Sequence, residues 1–273
     1  MTLRERAVVA ARPAGARVLL SAGAAAALAL AGGCTDAPER SAAAKGADPS
    51  AAPSAEVPEA TTHTTVHGAP YDLAPASPAG GLVVHPITRQ TVLDAPGGRP
   101  VATLPTTQLG SPTWVPVVSR SGAWVQVLLP SKPNGSTGWM STAQGGLRTA
   151  RTSYLVKVDV SRRRLTLLRS GRTVGRWTVA VGARRTPTPA GRTFLLALLQ
   201  PSSRTPSPLL IPLGTHSATL DSFGGGPGTV ALHGWPDPSV FGKAVTHGCV
   251  RVPDAALRAL SHVPLGTLVL ITG

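Results

Sequence analysis

From residue 80 onward the chain is built of short apolar runs broken by proline and glycine. Leu82-Val83-Val84, Thr91-Val92-Leu93, Pro100 to Leu104, Thr113 to Val118, Ala123 to Leu129 and Gly138-Trp139-Met140 are separated by turn residues, the pattern of a small all-β domain. Trp124-Val125-Gln126-Val127 alternates as a half-buried strand does, and Ser121-Gly122 supplies the hairpin turn before it. A polar junction at Leu147 to Thr152 separates this set from a second, in which Tyr154 to Val160, Leu165 to Leu168 and Arg176 to Val181 predict a meander of antiparallel strands. Pro253 to Leu260 is the one short helical pattern, with Pro253 or Asp254 at its start, and Gly266 to Ile271 predicts a closing strand. The fold class expected is mainly β: a small β domain over residues 80–148, then an antiparallel β-sandwich with one short helix over residues 153–273.

Some stretches interrupt this pattern. Arg184-Arg185-Thr186-Pro187-Thr188-Pro189 cannot continue a strand, because each proline withdraws a donor and restricts its predecessor, so it predicts an ordered turn at a sheet edge. Gln200 to Ile211, with three prolines and several serines, suits a lid over a cleft. Gly224-Gly225-Gly226 has neither the lysine of a phosphate loop nor dinucleotide spacing and is read as a turn.

The first 79 residues have a different texture. Arg4, Arg6, Arg12 and Arg17 precede an apolar run from Val18 to Leu30 and the small residues Ala31-Gly32-Gly33, which together form an export leader over residues 1–33. Cys34 follows at once, and the arrangement resembles a bacterial lipoprotein signal in which Cys34 becomes the lipid anchor. Residues 34–79, rich in Ala, Pro, Ser and Thr, predict a disordered tether that holds the folded part off a membrane. The expected location is therefore the outer face of the cytoplasmic membrane, facing the wall. The chain's net charge of +14 falls to +11 without the leader's four arginines and one glutamate. An exported basic protein without a nucleic-acid motif is expected to meet anionic wall polymers rather than nucleic acid.

Export sharpens the cysteine count. The chain has two cysteines, and if Cys34 carries lipid then Cys249 has no partner. An unpaired thiol in an oxidising compartment points to reactivity. Cys249 lies in Thr246-His247-Gly248-Cys249-Val250-Arg251, with His233-Gly234 upstream at the end of the apolar run Thr229 to Leu232. These residues suit acyl transfer: a thiol nucleophile, an imidazole base, backbone donors near Gly248 and Cys249 for an oxyanion, and Arg251 as a fork for a carboxylate. Spacing alone leaves His233 and His247 both open as the base. His216, His233, His247 and Cys249 can be written as a zinc set, but no tight ligand pair accompanies them, and no metal or other cofactor is expected. His216 is expected to line a substrate channel.

His233-Gly234 followed by Thr246-His247-Gly248-Cys249-Val250-Arg251 resembles the signature of the L,D-transpeptidases, the YkuD-like cysteine enzymes that cross-link bacterial peptidoglycan. Gly182 with Thr186-Pro187-Thr188-Pro189-Ala190-Gly191 resembles a second motif of that family, and the likeness covers roughly residues 153–273. It implies Cys249 as nucleophile, His233 as base with its ring oriented by the Gly234 carbonyl, and His247, Gly248, Thr246 and Arg251 as substrate-shaping residues. Thr246 stands where the family more often has serine. The implied substrates are peptidoglycan stem peptides centred on meso-diaminopimelate, joined 3→3 through a thioester, with carbapenems as covalent inhibitors. Water as acceptor would make the protein an L,D-carboxypeptidase, and loss of turnover would make it a wall-binding lipoprotein. Trp-Val-Gln-Val followed by Gly-Trp-Met in residues 124–140 resembles bacterial SH3-like domains.

Overall fold

The computed structural model describes residues 57–201, 205–223 and 226–273. The expected leader, Cys34 and the tether as far as residue 56 lie outside the described residues.

The first unit carries β1 (Leu82–Pro86), β2 (Gln90–Leu93), β3 (Pro100–Leu104), β4 (Thr107–Gln108), β5 (Ser111–Pro112), β6 (Val115–Ser121), β7 (Trp124–Leu128), β8 (Thr137–Ser141) and β9 (Leu147–Arg151). All but the small β4/β5 pair form one sheet in the order β3-β2-β8-β7-β6-β1-β9. Alternation in β7 sends Val125 and Val127 inward, where they pack with Val84, Val92, Leu104, Val115 and Met140. Gly122, at φ +55°, makes the β6/β7 turn as expected. The polar junction at 147–152 is instead largely strand β9, paired along its length with β1. Four of its five side chains are exposed, so backbone pairing at a sheet edge, not side-chain burial, makes it a strand.

Residues 57–79, expected in the tether, are laid along this unit. Ala60 and Val66 are buried in its core, Glu59 bridges Thr103, the Val66 N–H donates to the Lys132 carbonyl at 2.8 Å and the Thr137 N–H to the Pro70 carbonyl at 2.7 Å. Composition correctly marks the segment as poor in large apolar groups; backbone hydrogen bonds supply what side chains lack.

The second unit is also β. It contains β10 (Tyr154–Asp159), β11 (Arg164–Arg169), β12 (Arg172–Thr178), β13 (Val181–Gly182), β14 (Gly191–Phe194), β15 (Leu210–His216), β16 (Ser222–Phe223), β17 (Gly226–Pro227), β18 (Thr229–Gly234), β19 (Ala244–Thr246), β20 (Val250–Val252) and β21 (Leu268–Thr272). The helix α1 (Asp254–Ser261) starts from an N-cap at Pro253, has Asp254 in its first turn and buries Ala256, Leu257 and Leu260. A five-stranded sheet, β12-β11-β10-β21-β14, faces a three-stranded one, β15-β18-β20, and side chains of both, with α1, fill the core between. The expected meander β10-β11-β12 is antiparallel, turning at Ser170-Gly171 with both φ values positive. Pairing elsewhere is mixed: β10/β21, β18/β20 and β13/β19 are parallel.

The closing strand β21 lies inside the five-stranded sheet, and its first four residues are all buried. Val269 and Ile271 face the second unit's core, while Leu268 on the other face joins Phe194 and Leu196 in the core of the first unit. One sheet thus has apolar cover on both faces, which explains a continuous apolar run where a half-exposed strand would alternate.

Candidate active site

Strands β18 and β20 run parallel, with Leu232 opposite Val250, His233 opposite Arg251 and Gly234 opposite Val252. Val230, Leu232, Val250 and Val252 face the core, so the alternation puts Ala231, His233 and Arg251 on the other face. Cys249, two residues ahead of Arg251, comes onto that face too, and its Sγ accepts the Ala231 N–H at 3.4 Å. The apolar zipper behind the sheet therefore sets the register of the polar groups in front of it.

The His233 ring is held by the Gly234 carbonyl, to which Nδ1–H donates at 2.9 Å. That bond fixes the tautomer and leaves Nε2 as the proton acceptor. Behind it, the Gly234 N–H donates to Ser207 Oγ at 2.8 Å, and Ser207 Oγ–H donates to the Leu209 carbonyl at 2.6 Å. Ser207, within the stretch expected as a lid, instead buttresses the histidine strand.

The turn that presents Cys249 is fastened by two threonines. Thr246 Oγ1 accepts the Gly248 N–H at 3.1 Å and donates to the Cys249 carbonyl at 2.5 Å. Thr188 Oγ1 donates to the Gly248 carbonyl at 2.8 Å and accepts the Gly182 N–H at 2.9 Å. Gly182 has to be glycine, because a Cβ there would lie 2.3 Å from the Thr186 carbonyl oxygen. Gly248 sits at φ +116°, a conformation side-chain-bearing residues rarely adopt. The proline-rich turn and the cysteine motif are thus two halves of one hydrogen-bonded assembly. Thr246 serves the backbone of the turn, and the Gly248 N–H, one of the expected oxyanion donors, is taken up by it.

Burial lowers the His233 pKa below its ordinary value, with the Gly234 bond opposing and the Arg251 charge assisting. Burial raises Cys249, with the Ala231 N–H and Arg251 opposing. Both shifts favour the uncharged forms, thiol and imidazole, because desolvation outweighs the local dipoles here. Arg251 lays its guanidinium 3.5 Å from the centre of the Trp235 ring, its Nε has no partner, and it makes no carboxylate ion pair among the described residues. The fork is held by stacking and free to receive a carboxylate.

His247 is exposed and packs its ring 5.0 Å from that of Phe223. His216 does not join this cluster. It is buried, its Nε2 meets the Thr62 carbonyl at 2.6 Å, and Asn134 bonds its backbone, so it ties the N-terminal unit to β15 rather than lining a channel to the thiol. Among the described residues, no group of three or more His, Cys, Asp or Glu gathers as a metal site, and no helix is long and apolar enough to cross a membrane. Ser207, Trp235 and Ala231 were not singled out by sequence; the pairing of Arg251 with an aromatic two residues beyond His233 was the one signal available.

A thiol and an imidazole on one sheet face, backed by a fixed tautomer and a free guanidinium, define a domain suited to nucleophilic acyl chemistry. Residues 153–271 match the L,D-transpeptidase catalytic domain family, YkuD. The YkuD protein of Bacillus licheniformis is 33% identical over 153 residues, spanning 54% of this chain and 86% of that protein. That of Bacillus subtilis is 31% identical over 144 residues, spanning 52% and 80%. An L,D-transpeptidase structure from Mycobacterium tuberculosis aligns with a TM-score of 0.38 at 14% identity, covering 52% of this chain and 74% of that one. The chain belongs to the YkuD-type L,D-transpeptidase family, with its catalytic domain over residues 153–271.

Proposed function

We propose that the protein is a peptidoglycan L,D-transpeptidase that forms 3→3 cross-links between meso-diaminopimelate-containing stem peptides through a thioester on Cys249. The observation that carries this reading is the placement of Cys249, His233 and Arg251 on one face of β18/β20, with His233 Nδ1 already committed to the Gly234 carbonyl. His233 Nε2 takes the thiol proton as Sγ attacks the carbonyl of the diaminopimelate L-centre. The C–N bond to the terminal D-alanine breaks, and the imidazolium returns that proton to the departing amine. The side-chain amine of a second stem then attacks the thioester, losing its proton to His233. The C–S bond breaks, the thiolate recovers the proton, and an amide remains. Arg251 receives a substrate carboxylate, and the Cys249 N–H is the backbone donor suited to the developing oxyanion.

The same reading places the enzyme outside the cell, held at the membrane by lipid on Cys34, with its basic charge drawn to anionic wall polymers. The test is intact-mass spectrometry of the chain from Thr35 onward after exposure to a carbapenem, followed by turnover of a stem tetrapeptide with an acceptor amine. A single adduct absent from Cys249→Ala and slowed in His233→Ala, with cross-linked dimer as product, is the expected result. Hydrolysis alone would make the protein an L,D-carboxypeptidase, and no adduct on folded protein with a reduced thiol would overturn the enzymatic reading.

A further inference from the structure

We propose that the cleft between the Lys132–Asn134 loop of the N-terminal unit and the Ser217–Asp221 segment of the catalytic domain is a subsite for a stem-peptide carboxylate, with Lys132 as its cation. The proposal rests on the peptide-acylating reading above. It adds to that reading a binding role for the N-terminal unit.

The cleft has a volume of about 490 Å³, and its walls include Thr65, His67, Lys132, Asn134, His216 and Ser217. It shares a wall with the active site, because the Cβ position at Gly248 lies 4.0 Å from Ser217 Oγ. A peptide whose carbonyl reaches Cys249 therefore has this cleft within its own length. The reaction brings together two peptides with several carboxylates, while the guanidinium of Arg251 accounts for one of them.

The loop that presents Lys132 is fixed from both sides. Asn134 Nδ2 donates to the His216 carbonyl at 2.7 Å and Asn134 Oδ1 accepts the His216 N–H at 2.8 Å, so one amide side chain holds the loop to β15 through both of its ends. Lys132 N–H donates to the Thr64 carbonyl at 3.0 Å, and its carbonyl receives the Val66 N–H. A rigid backbone thus carries a flexible ammonium.

Lys132 Nζ meets Asp221 Oδ1 at 3.0 Å, with the lysine side chain 30% exposed and the aspartate fully exposed. An ion pair with one partner wholly in water contributes little to stability. It leaves Asp221 readily displaced by another carboxylate. The cleft therefore offers a cation with an exchangeable counter-charge.

The test compares Lys132→Gln and Asp221→Asn in the chain from Thr35 onward. Three probes are used: a diaminopimelate-centred stem tetrapeptide, the same peptide amidated at its carboxylates, and a carbapenem. Lys132→Gln is expected to raise KM for the free-acid peptide about tenfold with kcat unchanged. It should leave the amidated peptide and carbapenem acylation unaffected. Asp221→Asn is expected to lower KM, since it removes the competitor for Lys132. An unmoved KM in Lys132→Gln overturns the subsite. So does a rise of KM in both variants accompanied by a fall in Tm, which would make the pair a structural tie. Absence of both adduct and turnover in the unaltered protein overturns the transpeptidase reading as well; turnover with an unmoved KM overturns the subsite alone.

Discussion

The backbone N–H of Ala231 points at Cys249 Sγ from 3.4 Å, so the strand that delivers the histidine also touches the sulfur. The contact follows from the parallel register of β18 and β20, in which each step along one strand moves both groups together. A backbone donor favours a thiolate, yet burial outweighs it and pushes the thiol pKa up, favouring the neutral form.

This has a pH signature with two separable limbs. As the proposed base, His233 would act only when neutral, and burial holds its pKa below the ordinary 6.5, so carbapenem acylation should keep its rate as pH falls through 6.5 and decline only below it. Alkylation of the free enzyme by iodoacetamide needs thiolate and should rise only above the ordinary thiol value of 9.0. Rate profiles from pH 4 to 11 measure both. Alkylation that stays fast down to pH 5 would reveal a preformed thiolate–imidazolium pair and contradict the neutral resting state. Stability follows the same sign: the folded state disfavours charged His233, so its contribution is present above pH 6.5 and is lost as pH falls toward the depressed folded pKa.

Removing the base and removing its buttress should differ in size. His233→Ala is expected to slow acylation by about 10²–10⁴-fold, the usual contribution of a positioned general base. Ser207→Ala leaves the Gly234 N–H without its buried partner. It should cost about 1–3 kcal/mol of stability and slow acylation far less than loss of the imidazole does. Thermal denaturation alongside acylation rates checks both. A Ser207→Ala variant as slow as His233→Ala would mean that the hydroxyl has a direct part in the chemistry.

Gly182 offers a test of the turn remote in sequence from the thiol. A Cβ at this position would stand 2.3 Å from the Thr186 carbonyl oxygen and 2.4 Å from the Thr188 nitrogen, both backbone atoms that cannot swing aside. Gly182→Ala should displace Thr188 and with it the hydroxyl that bonds the Gly248 carbonyl. Acylation is expected to fall at least tenfold, since misplacement of the nucleophile by a fraction of an ångström is costly. An alanine variant with unaltered Tm and acylation rate would show that the two motifs are not mechanically joined.

The fold class was legible because strand period and turn residues are local: Val125 and Val127 alternate inward in β7, and Ser170-Gly171 turns β11 into β12. Cys249 and His233 stood out because they sit in short contiguous motifs of thiol, imidazole and glycine. What sequence left hidden depends on distant pairing. Strand β9 has a polar, exposed set of side chains and exists through its ladder with β1. The parallel β10/β21 pair joins segments more than a hundred residues apart, and no local pattern encodes its direction. His216 carries the chemistry of a ligand or channel residue, but its role is set by Thr62, on a segment whose composition suggests no packing at all.

That segment supports the last prediction. Asp72 accepts from Arg192 through Nε at 2.7 Å and through Nη2, and the two side chains are 3% and 5% exposed. Arg192 belongs to β14 of the catalytic domain, so residues 57–79 tie that domain as well as the sheet they lie along. Asp72→Ala should destabilise the protein by about 3–5 kcal/mol, because it strands a buried guanidinium. Replacing both partners together, as Asp72→Leu with Arg192→Met, should cost less than Asp72→Ala alone, since no unpaired charge then remains. A fragment beginning at residue 80 should lose this pair together with buried Ala60, Thr62 and Val66, and melt well below one beginning at residue 57. Urea titration of the two fragments and the two variants measures each step. If the shorter fragment is as stable as the longer, the segment is a passive passenger on the surface and the tether reaches residue 79 as its composition suggests.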